Sequence, residues 1–492
     1  MAFKKGRGGM KGIWFLLPIF MVFAGFSIAD QKYEPRWESL DKRPIPRWFL
    51  DAKFGIFIHW GVYSVPAWRK VTERRYASYA EWYYARVMFD EESGGREFHA
   101  RNFGEDFEYR DFAPLFRAEL FDPDYWAELF SRSGAKYVVL TAKHHDGFCL
   151  WPTKSPYKKG WNSMDVGPKR DLVGDLTKAV RAVGLRMGLY YSIIEWESNW
   201  THRTKSGYFI PQGLVDRYGI PEDRYVDEHM IPQLKELVLT YQPAVIFGDA
   251  GEWDRTAAEW KTLNFLSWLY NNAPNKDEIV VNDRFGRDMP GKHGDYFSSE
   301  YQDAEGVGMY HPWEESRGIG GSYGFNRDEN IDDYNTSEEL VHELIDIVSR
   351  GGNLLLNVGP TADGRIPVIM QQRLVDIGDW LNVNGEAIYG TRPWKGAGLN
   401  RENGNFMYFT KKGNDAYVIW TCWPQETFPI IGIRPTKETS ISLLGYNGLI
   451  EWKVSGDKIT IRTPLLNPAT APCPFAWVFK ISNVHQVRLC HP

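Results

Sequence analysis

The sequence predicts an α/β protein: a TIM-like (β/α)8 barrel with some irregularity, followed by a small C-terminal antiparallel β-sandwich. Three observations carry that prediction. From about residue 120 to residue 357, helix-period segments, glycine stops and short apolar runs recur in that order, as they do where parallel strands are joined by crossover helices. The apolar runs lead into charged or polar aromatic residues, as barrel strands do at the end that holds their chemistry. After about Trp394 the texture changes to short strand-like runs separated by Gly, Asn, Asp and Pro, which reads as antiparallel pairing.

Taken in order, Phe54-Gly-Ile-Phe-Ile-His59 reads as the opening strand. Asp122-Pro-Asp124 opens a helix over Tyr125 to Ser131, Gly134 stops it, and Lys136 to Thr141 extends as a buried strand. Leu172 to Val183 is a second helix, ended by Gly184 and followed by Arg186 to Tyr191. Met230 to Tyr241 leads through Pro243 to Ala244–Phe247, and Ala257 to Asn271 leads to Ile279–Asn282. Phe297 to Glu300 is a further short strand. A helix opening at Ser337, with Leu340, Val341, Leu344 and Ile347 on one face, leads through Gly351-Gly352 to Leu354–Asn357. About seven barrel strands are counted in this way; the eighth is not legible. A doubly wound open sheet is the competing architecture, but no glycine-rich phosphate turn follows the first strand. In the last part, Met407–Thr410, Asp415–Trp420, Ile441–Leu444, Ile459–Arg462 and Phe475–Phe479 are the strands expected of the sandwich. The expected division is 1–29 as an export signal, 30–393 as the barrel and 394–492 as the sandwich.

The first of those segments is an address. Lys4, Lys5, Arg7 and Lys11 precede an apolar run from Ile13 to Phe26, and Ser27-Ile-Ala29 supplies small residues where a signal peptidase cuts. The mature chain is therefore expected to begin near Asp30, exported and without a membrane segment, since the run falls short of the roughly 20 apolar residues of a comfortable span. A net charge of -5 leaves no basic excess for nucleic acid. Cys149 stands apart from Cys422, Cys473 and Cys490, and no CxxC pair occurs. One disulfide among the last three is permitted by export, and free buried thiols are the equal alternative. Aromatic residues make up 15% of the chain, enough either to thicken a core or to line a site that stacks on apolar faces of a ligand. Nothing in the sequence specifies an oligomeric state.

The strand ends hold the candidate site. His59 ends the first strand, Lys143-His144-His145-Asp146 the next, and Tyr190 and Tyr191 the third; Asp249, Arg284 and Glu300 follow the fourth, fifth and sixth. Any one of these alone reads as a loop cap or a satisfied core group, whereas six on one face of a barrel read as a site. Two carboxylates from different strands in an aromatic pocket suit work on a sugar. One attacks or stabilises an oxocarbenium-like centre, and the other holds a proton for the leaving oxygen. Arg284 would supply the counter-charge to Asp249. The trio His59, His144 and His145 reads either as metal ligands with Asp146 or as hydrogen-bonding partners of sugar hydroxyls. Neighbours on an extended segment point to opposite faces, which disfavours joint ligation of one ion by His144 and His145, so neither a metal nor another cofactor is expected. Glu81-Trp-Tyr-Tyr84 reads as a pocket rim or a helix start, the cluster Arg69, Lys70, Arg74 and Arg75 as a solvated face, and Asn326, Asn353 and Asn357 as loop anchors.

These residues resemble those of the α-L-fucosidases of glycoside hydrolase family 29. The matching stretches are Lys53-Phe-Gly-Ile-Phe-Ile-His-Trp-Gly61, Tyr63-Ser-Val-Pro-Ala-Trp68, Glu81-Trp-Tyr83, Ala142-Lys-His-His-Asp-Gly-Phe148 and Asp165-Val-Gly-Pro-Lys-Arg-Asp-Leu-Val-Gly174. Further on come Val281-Asn-Asp-Arg284, Glu300-Tyr301, Tyr323-Gly-Phe-Asn-Arg327 and Gly351-Gly-Asn-Leu-Leu-Leu-Asn-Val-Gly-Pro360. The resemblance implies a retaining exo-glycosidase with a barrel and a β-sandwich, acting on fucosylated oligosaccharides or glycans. It implies Asp249 as the nucleophile, with Ala250 where the family usually has glycine, and Glu300 as the acid/base, with Glu314 beside Trp313 as a competitor. His59, Glu81, Trp82, His144, His145, Tyr190, Arg284, Trp313, Glu314 and Tyr323 are the residues expected to bind substrate. Two other classes remain open: a metal-dependent barrel hydrolase, and a carbohydrate-binding protein without catalysis.

Overall fold

Eight parallel strands form the first sheet: β1 (Phe54–Ile58), β2 (Tyr137–Lys143), β3 (Arg186–Ser192), β4 (Val245–Asp249), β5 (Val280–Val281), β6 (Phe297–Glu300), β7 (Trp313–Gly318) and β8 (Asn353–Val358). They are hydrogen-bonded in the order β5-β4-β3-β2-β1-β8-β7-β6, so the sheet curls as a barrel whose seam lies between β5 and β6. This computed structural model describes residues 32–72, 78–91, 93–198, 210–301, 311–394, 407–456 and 458–486; the expected export signal and Arg74, Arg75 and Cys490 lie outside them.

Strands β1, β2 and β8 are buried along their whole length, which is why they read as continuous apolar runs rather than alternating ones. The strand that sequence patterning misses is β7. Its residues Glu314, Glu315, Ser316 and Arg317 are polar, yet Glu314, Glu315 and Ser316 are buried and Arg317 half-buried. Each side chain finds a partner: Tyr137 donates to Glu314, Ser316 meets the Tyr323 hydroxyl at 2.7 Å, and Arg317 pairs with Glu315 in the same strand and with Glu343.

Side chains carry much of the join at the seam. The Asp283 carboxylate accepts from the Ser298 N–H at 2.9 Å and from its hydroxyl at 2.6 Å. Asp295 accepts from the Val281 N–H at 2.9 Å and from the buried Arg43 guanidinium at 2.9 Å. Strand β5 holds only two residues because the chain leaves the ladder at Asn282, releasing Asp283 and Arg284 for these contacts and for the site.

The crossover helices carry the stop and start signals expected of them. Asp122 caps Pro123–Arg132 by accepting from the N–H groups of Asp124 and Tyr125, and Thr336 with Glu339 forms a capping box on Ser337–Ser349. Two helices differ from expectation. The helix expected from Met230 is regular over Ile231–Tyr241 and is preceded by a π-helical turn, Tyr225–Met230. The one expected from Ala257 begins at Thr262, because Trp260 and Lys261 close a turn ahead of it.

The C-terminal part is built from β9 (Arg392–Pro393), β10 (Met407–Lys412), β11 (Asp415–Trp420), β12 (Thr427–Ile431), β13 (Ile433–Leu443), β14 (Trp452–Ser455), β15 (Lys458–Arg462) and β16 (Trp477–Gln486). A five-stranded sheet, β13-β16-β11-β10-β9, faces a three-stranded one, β12-β15-β14. Phe409, Val418, Phe428, Ile459, Ile461 and Phe479 fill the space between. This sandwich braces the barrel helices: the Trp380 indole donates to the Ala476 carbonyl at 2.9 Å, and Tyr417 donates to Glu386 at 2.8 Å. No disulfide joins Cys422 to Cys473.

Candidate active site

At the C-terminal ends of the strands lies a cavity of about 460 Å³, in the range of small-molecule sites. Of the twelve residues expected there, ten line it: His59, Glu81, Trp82, His144, His145, Tyr190, Asp249, Arg284, Glu300 and Tyr323. Trp313 and Glu314 do not. They open β7 at the opposite end of the barrel, where Glu314 lies among Tyr137, Tyr296 and the start of β8. Side chains two residues apart share a strand face, so Ser316 reaches the cavity while Glu314 sits one layer below it. Burial pushes the Glu314 carboxyl up to about 7, in a layer closed by aromatic rings. The geometry therefore separates the two candidates for acid/base, and only Glu300 faces the cavity.

The carboxylates are organised by one guanidinium. Arg284 Nη1 donates to Asp249 Oδ1 at 3.1 Å and to Glu300 Oε2 at 3.2 Å. Two oxygens at those distances from one nitrogen can be no further apart than their sum, about 6.3 Å. Arg284 is itself fixed by Ser298, which accepts from its Nε at 2.9 Å. The second oxygen of Asp249 accepts from the Tyr190 hydroxyl at 2.7 Å. Burial pushes the Glu300 carboxyl above the ordinary range; Arg284 opposes that shift and Asp249 adds to it. A third carboxyl, Glu252, lies 3.9 Å from Arg284, and burial raises it to about 8. Arg284 thus stands among three carboxyl groups and donates to two of them, Asp249 and Glu300. Ala250 and Tyr301, each directly after one of these two carboxylates, have φ of 63° and 53°. Non-glycine residues adopt that region at a cost, and such strain concentrates at functional sites.

His59 and His145 face the cavity with an unprotonated Nε2, that of His145 lying 3.6 Å from Asp249 Oδ2. His59 Nδ1 lies 2.7 Å from Asn357 Oδ1, while Asn357 Nδ2 donates to the Tyr323 carbonyl at 2.7 Å. The asparagine oxygen must therefore accept, the proton sits on His59 Nδ1, and Nε2 is left bare. His145 is set in the same way: Ser192 donates to the Ile194 carbonyl at 2.6 Å and so accepts from His145 Nδ1, also at 2.6 Å. Burial holds all three imidazoles neutral, lowering His59 to about 4 and His144 and His145 well below the usual histidine value. Contrary to the strand-alternation argument, His144 and His145 both turn inward, with ring centroids 4.2 Å apart. The reason is local: the β2 register slips between Thr141 and Lys143, and the chain leaves the strand before the two histidines. Among the described residues, no group of three or more His, Cys, Asp or Glu side chains is placed to hold a metal ion.

Glu81 is held in a short turn, Ala80–Trp82, where it accepts from the Gly324 N–H at 2.8 Å and the Ser322 hydroxyl at 3.2 Å. Burial raises its carboxyl to about 7. Tyr323 spends its hydroxyl on Ser316 and turns its ring toward His59, at 4.8 Å. Sequence reasoning missed six lining residues: Phe57, Tyr79, Arg86, Phe247, Trp253 and Ser316. Phe57 and Phe247 were within reach, since each lies two positions before an expected site residue on the same strand face. Ser316 lies in the illegible strand, and Tyr79, Arg86 and Trp253 lie outside the strands, where no period marks direction.

Comparison with known proteins gives a consistent answer over most of the chain. A family model described as "Alpha-L-fucosidase" matches residues 21–386, and one described as "Alpha-L-fucosidase C-terminal domain" matches 400–482. The tissue α-L-fucosidase of Homo sapiens is 42% identical over 458 residues, 92% of each chain. An α-L-fucosidase of Branchiostoma floridae is 41% identical over 458 residues, 92% of this chain and 96% of that one. Among solved structures, Thermotoga maritima α-fucosidase in complex with fucose superposes with a TM-score of 0.76 at 38% identity, covering 91% of this chain and 100% of that one. The same enzyme with a mechanism-based inhibitor gives 0.77 at 39% identity, covering 92% and 100%.

Proposed function

The chain belongs to the α-L-fucosidase family, and from that premise we propose that it removes terminal α-L-fucosyl groups from oligosaccharides or glycoconjugates with retention of configuration. Its class is glycoside hydrolase. Asp249 attacks the anomeric carbon: a C1–O bond forms to its carboxylate as the bond to the aglycone oxygen breaks. Glu300 gives its proton to that departing oxygen. Water then attacks C1, passes a proton to Glu300, and the bond to Asp249 breaks to release fucose. The observation that carries this reading is the single Arg284 nitrogen between the two carboxylates, which keeps their oxygens within about 6.3 Å.

The same arrangement supports the change of role between the two steps. In the free enzyme the charge on Asp249 helps keep the proton on Glu300. Once Asp249 is esterified to the sugar that charge is gone, Arg284 acts on Glu300 alone, and the group becomes a better base. The bare Nε2 atoms of His59 and His145 accept from sugar hydroxyls, while Phe57, Phe247 and Tyr323 offer apolar surface to the C6 methyl side. Losing one methyl contact is worth about 1–3 kcal/mol, so L-galactosides should be poorer substrates rather than excluded ones. The basic and apolar N-terminal leader supports export; among the described residues no helix is long and apolar enough to cross a membrane.

The test is hydrolysis of 4-nitrophenyl α-L-fucoside by wild type and Asp249→Ala, with and without azide. Turnover by wild type, its loss in the variant and rescue as β-L-fucosyl azide are expected. A variant that keeps its turnover, or rescue that yields the α-azide, refutes Asp249 as nucleophile. Activity abolished by a chelator would favour the metal-dependent alternative.

A further inference from the structure

We propose that Tyr301 is a positioning residue for the acid/base: its hydroxyl, bonded across to the end of β7, holds Glu300 in place at the mouth of the cavity. Tyr301 acts through Glu300, so its role rests on the reading of Glu300 as the acid/base of an α-L-fucosidase. Glu300 needs a hold because of where it stands. It ends β6, the last strand of the sheet on its side of the seam, whose backbone ladder runs to β7 alone. That ladder closes at Glu300, opposite Ser316, and strand ends with a partner on one side only are among the parts of a fold that open most readily.

Two residues further along β7 the join continues through a side chain: the Gly318 N–H donates to the Tyr301 hydroxyl at 2.7 Å. Gly318 is a firm anchor, since β7 is paired there with Asn357 of β8. The close approach calls for glycine, because a Cβ at 318 would lie 3.0 Å from the tyrosine hydroxyl oxygen and 2.6 Å from the Gly320 carbonyl oxygen. The backbone of Tyr301 shows what the bond holds. Its φ is 53°, a conformation that tyrosine adopts at a cost and keeps only where its surroundings over-determine it. The hydroxyl bond to Gly318 and the Tyr323 ring, 5.7 Å from that of Tyr301, supply those surroundings. With the side chain pinned at Gly318, the Tyr301 Cα is pinned, and so is the peptide that joins it to Glu300. The Glu300 carboxylate then stays 3.2 Å from Arg284, facing the glycosidic oxygen. Without the hydroxyl, Tyr301 relaxes toward negative φ and carries that peptide, and the acid with it, out of line.

The experiment measures kcat/KM for phenyl and 2,4-dinitrophenyl α-L-fucosides in wild type, Tyr301→Phe and Glu300→Gln. Phenolate needs a proton from the acid as it leaves, whereas 2,4-dinitrophenolate does not. The phenyl-to-dinitrophenyl ratio therefore reads the acid alone: it is unmoved by the fraction of enzyme folded and by contacts that bind only the fucosyl group. Tyr301→Phe should lower that ratio about tenfold, as a small misplacement of a reacting group does. Glu300→Gln, which removes the acid, should lower it about a hundredfold or more. If Tyr301→Phe does not fold, Tyr301→Gly takes its place with the same expected fall, since glycine adopts the positive φ without strain but lacks the anchor. A ratio within twofold of wild type at position 301, with the ratio collapsed in Glu300→Gln, overturns the positioning role and leaves Glu300 as the acid. Equal losses on both substrates in Tyr301→Phe also overturn it, because they assign the hydroxyl to folding or to fucosyl binding. A ratio unmoved by Glu300→Gln overturns instead the acid/base reading on which the role of Tyr301 rests.

Discussion

Replacing Asn357 tests whether the polarity of the sugar-facing histidine is set from behind. Asn357 is fully buried, and it makes two hydrogen bonds at 2.7 Å, one to His59 Nδ1 and one to the Tyr323 carbonyl. In Asn357→Ala both partners lose their hydrogen bonds inside the protein, at about 1–3 kcal/mol each, so unfolding in urea should report a loss of about 2–6 kcal/mol. The ring of His59 is then no longer held with Nε2 bare, and losing one acceptor bond to the sugar is worth about 1–2 kcal/mol. That corresponds to a five- to thirtyfold fall in kcat/KM for 4-nitrophenyl α-L-fucoside, with weaker product inhibition by L-fucose. Asn357→Asp separates position from polarity. Its carboxylate still accepts from Nδ1, but an adjacent negative charge raises the proton affinity of the imidazole, which turns Nε2 from acceptor to donor when the ring is protonated. This variant should therefore acquire a new acidic limb, with activity lost as pH falls, that the alanine variant lacks. An Asn357→Ala protein that is destabilised as calculated, yet keeps kcat/KM within twofold of wild type, refutes the argument and leaves Asn357 as a structural anchor only.

Four further outcomes are expected. Glu300→Gln should lower kcat for poor leaving groups far more than for 2,4-dinitrophenolate, and should remove the basic limb of the pH profile, because activity is lost as pH rises through the raised value of the acid. Glu314→Gln, outside the cavity, should keep turnover, and equal losses in the two variants would refute the placement of the acid. Stability should fall between about pH 6.5 and 8: Glu81 and Glu314, raised to about 7, and Glu252 and Glu329, raised to about 8, hold protons in the folded state that the unfolded chain has released. The buried histidines pull the other way only below their unfolded value near 6.5, and Lys53, lowered to about 7, opposes the trend above that point and overtakes it above about pH 8; a Tm that rises steadily from pH 6.5 to 8 would contradict this balance. Lys143, wholly buried and 2.8 Å from Glu195, should cost about 3–5 kcal/mol when changed to Met, since Glu195 then keeps a buried charge with fewer partners. A change below about 1 kcal/mol in urea unfolding would show that Lys158 and His229 compensate fully.

Much of this architecture is legible in the chain, because two local periods carry it. Runs such as Phe54–Ile58 and Leu354–Leu356 are apolar on both faces since helices cover the outside of the sheet and side chains fill the inside, and Asp122 or Thr336 starts a helix for reasons that lie within four residues. Asp249, Arg284 and Glu300 are legible for the same reason: each stands just past an apolar run, where a barrel places its chemistry. Tertiary structure decided the rest. Strand β7 is invisible to any apolar pattern because its polar residues meet Tyr137, Tyr323 and Glu343, groups outside the strand. Glu300 and Glu314 look alike in the chain, and only the strand ends place one at the mouth of the cavity and the other a layer beneath it. His144 and His145 share a face only because the β2 register slips before them. Arg86 reaches the cavity from a π-helical turn that no sequence period marks. A period is a property of consecutive residues, whereas a site is set by the register and curl of strands that meet from opposite ends of the chain, and that information is not local.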